Sequence, residues 1–118
     1  MTGFDHGPLT AAPLERDQAA AIASLLHALA DKNRVLIVSA LLHAPSGELN
    51  GRELLEHLEL RQPTVSHHLR KLVRAGILGR EQRGPYAYFW VVPEAMAKLR
   101  ALFGGRAPRR RPAAAPSA

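Results

Sequence analysis

Apolar residues recur along this chain first at helical and then at strand spacing. Ile22, Leu25, Leu26 and Leu29 form a stripe within Ala-rich surroundings, which predicts a helix from about Leu14 to Ala30. Asp31 suits an N-cap, and the helix after it should run to about His43. Val35, Leu36, Ile37, Val38, Ala40, Leu41 and Leu42 make it apolar on nearly every side, so it is expected at the centre. Arg34, three residues after Asp31, is a candidate partner for that carboxylate. Pro45-Ser46-Gly47 reads as a loop. Asn50 with Glu53 imitates a capping box and opens a short helix, Gly51 to Leu58, with Leu54, Leu55 and Leu58 inward. Val65, Leu69, Leu72 and Val73 then fall at i, i+4, i+7, i+8. Pro63 restricts the start of that helix to about Arg61 or Gln62, and Gly76 closes it.

Beyond Gly76 the period becomes two. Ile77 to Glu81 and Tyr86 to Val92 predict a hairpin with Gln82-Arg83-Gly84-Pro85 as its turn and Arg80 and Arg83 near the tip. Its Tyr and Trp residues suit sheet packing better than base stacking. Pro93 then opens a last helix with Met96, Leu99, Leu102 and Phe103 as its apolar line, stopped by Gly104-Gly105. The expectation is one mainly α domain with a small β-hairpin over residues 14–103. A flexible arm would precede it (1–13) and a disordered basic tail follow it (104–118).

The polar face of the helix over 62–74 is the most informative surface. It carries Gln62, Thr64, Ser66 and His67 first, then Arg70, Lys71 and Arg74. A solvated face would account for the cations alone. Short hydrogen-bonding groups followed by cations, with a short helix just upstream, instead suit a helix that meets base edges at its N-terminal end and phosphates further on. His67 and His68 are adjacent and point to different faces, and His68 lies beside the apolar stripe as a structural residue.

Charge strengthens that reading. The net charge is +6, but residues 1–60 hold four Lys or Arg against eight Asp or Glu, and residues 61–118 hold twelve against two. An anionic partner for the second half follows, with double-stranded DNA ahead of a membrane surface because no basic helix here has a broad apolar face. The absence of cysteine excludes disulfides and thiolate metal sites. No run is long enough to span a membrane and no signal peptide opens the chain, so a cytoplasmic location is expected. There is no Gly-rich phosphate loop, no H-E-x-x-H and no G-x-S-x-G. Ser66 and His67, adjacent on a helix, cannot form a nucleophile–base couple, so no enzyme is expected. The competing class is a winged-helix module for protein or RNA contacts.

Three helices, a recognition helix, a hairpin and a last helix follow the order of a winged helix-turn-helix. The chain resembles the ArsR/SmtB family in Leu29-Ala30-Asp31-Lys32-Asn33-Arg34 and Gln62-Pro63-Thr64-Val65-Ser66-His67-His68-Leu69. Arg74-Ala75-Gly76-Ile77-Leu78 and Gly84-Pro85-Tyr86-Ala87-Tyr88 continue the likeness, which spans roughly residues 14–103. The resemblance implies a homodimer on a palindromic operator near a promoter. It implies base contacts from Gln62, Pro63, Thr64, Ser66 and His67, with Arg83 of the wing in or near the minor groove. Many members are repressors released by a metal. This chain departs from the pattern in three places. Arg61 stands where a capping serine is common, the Cys-x-Cys of the third helix is absent, and the last helix has none of the Asp and His ligands of the dimer-interface site. Metal sensing is therefore not inherited through either site.

Any metal held here must use N and O ligands, which suits Ni²⁺ or Zn²⁺. Of six histidines, His27, His43 and His57 sit singly and read as surface or satisfied core residues. His6 in the arm, with His27 as neighbour, is the candidate ligand pair. The alternative is an effector-sensing partner protein. The terminal stripes predict self-association: a three-helix core with one hairpin cannot cover Ile22, Leu25, Leu26 and Leu29 as well as Met96, Leu99 and Phe103. A twofold copy could cover them.

Overall fold

Gln18 reaches back to accept the Glu15 N–H at 2.9 Å, and the first long helix starts there. The computed structural model describes residues 8–104 and residue 111. Its elements are α1 (Pro8–Ala11), α2 (Arg16–Leu29), α3 (Lys32–His43), β1 (Glu48–Asn50), α4 (Gly51–Leu58), α5 (Gln62–Arg74), β2 (Leu78–Arg83), β3 (Tyr86–Val91) and α6 (Pro93–Leu102). This is the expected mainly α architecture with its hairpin, plus two short elements.

The first addition is α1. The arm expected over 1–13 contains this one-turn helix, which packs against α6. The second is β1, which joins β3 antiparallel and makes a three-stranded sheet of order β1-β3-β2. Leu49, opposite Phe89, is buried and faces the core. Three residues cannot display a period of two, so the sequence pattern passed over β1.

Asp31 caps α3, accepting from the N–H groups of Asn33 (2.8 Å) and Arg34 (3.3 Å). The side-chain pairing expected between Asp31 and Arg34 gives way to another arrangement, because the guanidinium donates to the Ala28 carbonyl at 2.7 Å. α3 is central on one face only. Arg34, Ile37, Val38 and Leu41 are buried, while Val35, Leu36 and Leu42 are each about half exposed, at 52%, 49% and 51%. Its apolar composition overstated its burial because the other elements pack on one side of it.

Asn50 and Glu53 form the reciprocal cap of α4, at 2.8 and 2.9 Å. α5 begins after Arg61, whose side chain makes no capping bond, and carries Pro63 in its first turn. It ends as a Schellman motif: Gly76, at φ 77°, donates to Val73, and Ile77 donates to Leu72. β2 runs on to Arg83, so the turn shrinks to Gly84-Pro85, with Gly84 at φ 58°. Ile37, Leu41, Leu54, Leu72 and Ile77 fill the centre where α3, α4, α5 and the sheet meet. Each such residue contributes about 1.5–3 kcal/mol through burial.

Candidate nucleic-acid interface

α4 turns into α5 through Glu59, a non-glycine residue at φ 53° whose N–H bonds the Leu55 carbonyl. That turn sets one face of α5 into the core through Val65, His68, Leu69 and Leu72. On the rest of the helix Gln62, Pro63, His67, Arg70, Lys71 and Arg74 are exposed, and Thr64 and Ser66 are half-buried. The α5 residues expected from the sequence thus share one outward surface. The uncharged groups stand at its N-terminal half and the cations at its C-terminal half. Arg70, Lys71 and Arg74 have no ion pair among the described residues.

The buried side of α5 is held by a polar contact. Arg34 Nη1 lies 3.3 Å from His68 Nδ1. An arginine can only donate, so Nδ1 accepts and the ring proton sits on Nε2, 3.8 Å from Asp31 Oδ1. Since Arg34 also bonds the Ala28 carbonyl, one guanidinium joins the end of α2 to α5. Burial pushes the His68 pKa down; Asp31 opposes this, and Arg34, His67 and Lys71 reinforce it. Burial works against the Asp31 carboxylate. The Asn33 and Arg34 N–H groups, with His68 and Arg34 nearby, outweigh it and hold that carboxyl below its ordinary range.

Between α4, α5 and the hairpin lies an open groove of about 770 Å³. Leu55, Val65, Leu69 and Phe89 contribute apolar lining, and Arg52, Arg70, Arg74 and Arg80 contribute cations. Strand alternation sends Arg80 to this side and Arg83 to the other. Arg83 is engaged within the chain. Its Nη1 and Nη2 donate to the Glu48 carboxylate at 2.6 and 2.9 Å, and its Nε to Glu81 at 2.5 Å. The guanidinium also lies 4.6 Å from the centre of the Tyr88 ring. These bonds hold Arg83 more firmly protonated than usual, and the Arg83 hydrogen bond lowers the Glu48 pKa. Arg52 and Arg80 were not among the sequence candidates for DNA contact. Alternation along β2 marks Arg80, whereas nothing before the missed β1 marks Glu48.

The apolar stripes divide. Leu25 and Leu29 pack against the core, while Leu26 and Phe103 remain exposed at 39% and 68%. Ile22, Met96 and Leu99 are half-buried. His27 is exposed in the last turn of α2; His6 lies outside the described residues, as does most of the basic tail. Among the described residues no three His, Cys, Asp or Glu side chains gather as a metal site. A metal does not fit them without ligands from elsewhere. No described helix is long and apolar enough to cross a membrane.

The comparisons with known proteins agree with this geometry. The family model for bacterial regulatory proteins of the arsR family matches residues 31–79, from the cap of α3 into β2. An arsenic resistance transcriptional regulator of Pseudomonas putida is 40% identical over 77 residues, covering 65% of this chain and 59% of that one. The chain thus spans less than two thirds of that relative's length. The solved structure of HlyU from Vibrio cholerae superposes with a TM-score of 0.63 at 29% identity, covering 75% of this chain and 94% of that one. A possible transcriptional regulator for arsenical resistance gives a TM-score of 0.60 at 32% identity, with 67% and 79% covered. This chain belongs to the ArsR family of winged helix-turn-helix transcriptional regulators. It is accordingly a regulator and not an enzyme.

Proposed function

We propose that the protein binds a palindromic operator as a homodimer, with α5 in the major groove. Gln62, Pro63, Thr64, Ser66 and His67 would meet base edges, and Arg70 and Lys71 the phosphates. The observation that carries this reading is the outward face of α5. It is graded from uncharged to cationic groups, and its cations lack carboxylate partners among the described residues. Selection of bound sequences from random duplex DNA tests it. A consensus with twofold symmetry is expected, and recovery of unenriched DNA would favour the protein- or RNA-binding alternative.

The dimer would form on Leu26 and Phe103, bordered by Ile22, Met96 and Leu99. Leu25 and Leu29 act mainly within the protomer. Sedimentation should give twice the chain mass at micromolar concentration, and Phe103→Asp should shift it toward monomer. A wild-type monomer with and without DNA would contradict the interface.

An effector reading with nickel or zinc on His6 and His27 draws its support from the exposure of His27 alone. Calorimetric titration of nickel and zinc into wild type and His27→Ala tests it. No heat with either metal would leave regulation to a partner protein.

A further inference from the structure

We propose that Arg83 is a strut that fixes the wing, and that Arg80 is the cation the wing presents to DNA. The second half rests on the DNA-binding reading above; the first does not. β3 lies between β1 and β2, so Arg83 on β2 must reach across β3 to meet Glu48 on β1. Its guanidinium crosses by the Tyr88 ring and closes on both Glu48 oxygens. A two-pronged contact of this kind fixes orientation as well as distance. β1 ends at Asn50, the cap of α4. The strut therefore ties the hairpin tip to the start of the helix-turn-helix, through residues that the strands themselves leave exposed or half-exposed.

Charge points the same way. Arg83 with Glu48 and Glu81 makes one positive and two negative groups, a net of −1. A phosphate approaching Arg83 would meet that negative cluster, and would have to displace a carboxylate from each prong of the fork. Arg80 meets no such opposition among the described residues: its Nη2 donates to the uncharged Gln82 Oε1 at 2.8 Å. It also lines the groove shared with Arg70 and Arg74 of α5. The wing's two arginines therefore differ in role although the sequence places them three residues apart.

Two measurements on the full chain test this. Amide hydrogen exchange of the free protein should show residues 78–91 exchanging roughly two- to fivefold faster in Glu48→Gln, as loss of a partly exposed ion pair allows. Exchange within α5 should not change. An unchanged hairpin would overturn the strut. Fluorescence anisotropy with a mixed-sequence duplex over a KCl series then reads the arginines. Arg80→Gln should lower the slope of log K against log[KCl] by about one. The double variant Glu48→Gln/Arg83→Gln leaves the local charge at −1 and should leave the slope unchanged. A slope lost in the double variant and retained in Arg80→Gln would overturn the assignment. Failure of the wild type to bind duplex at any salt would overturn the DNA reading and the Arg80 role with it, while the exchange result still judges the strut.

Discussion

The recognition helix and the wing both carry exposed arginines, yet they hold them differently. On α5 the cations Arg70, Lys71 and Arg74 stand exposed without described ion pairs. On the wing, Arg83 is bound by two carboxylates and an aromatic ring. A cation already paired with carboxylates has less to gain from a phosphate than one the fold leaves unpaired. What decides this is the neighbouring strand: β3 has β1 on its far edge, and β1 carries Glu48. Where the hairpin borders the outer residues of α5, it brings Arg80, and the groove they share is lined by no carboxylate among the described residues. The contrast also separates rigidity from charge, since Arg83 gains orientation from the same contacts that offset its charge.

The largest expected effect comes from removing the support beneath α5. Leu72 is fully buried below the recognition face. Leu72→Ala should cost about 2–5 kcal/mol of stability in urea unfolding, since the cavity adds to the lost burial. A loss below about 1 kcal/mol would mean that α5 is not anchored where the core places it. Next in size is the charge on its outer face. Arg70→Ala with Lys71→Ala should lower the salt slope of duplex binding by about two, at about 0.9 per phosphate contact, with no change in the melting temperature of comparable size. An unchanged slope would put these cations outside the interface and erase the contrast with the wing.

A smaller effect concerns the buried side of α5. The folded state holds the His68 pKa below the unfolded value of about 6.5. At this residue the folded chain therefore binds fewer protons than the unfolded chain, and the His68 contribution to stability falls as pH drops below about 6.5. The wild type should lose more melting temperature between pH 7.5 and 5.5 than His68→Gln does. Identical losses would show that His68 does not contribute to the acid sensitivity.

Much of this was legible in the sequence for definite reasons. α5 declared itself through its stripe, its Pro63 start and its Gly76 stop, and each of these acts within a few residues. The cap pairs Asp31 with Asn33 and Asn50 with Glu53 were local in the same way. What escaped was non-local. β1 exists because β3 offers it an edge, so its three residues carry little signal of their own. The Glu48–Arg83 bond joins residues 35 positions apart and could not be read before β1 was known. Arg34 likewise was expected on its neighbour Asp31. It turned instead to Ala28 and to His68, 34 residues away, where burial makes an unpaired guanidinium costly. The exposed half of α3 was missed because composition reports apolarity and not the side on which partners pack.

Central to the proposed role is that α5 reads base sequence, beyond merely adhering to phosphates. The direct measurement compares the affinity of wild type, Gln62→Ala and His67→Ala for the duplex recovered by selection and for a scrambled duplex of equal length at one salt concentration. Each variant should lose about 1–3 kcal/mol of discrimination between the two duplexes while its affinity for the scrambled one stays close to wild type. Equal losses on both duplexes, or none on either, would contradict the recognition role of α5.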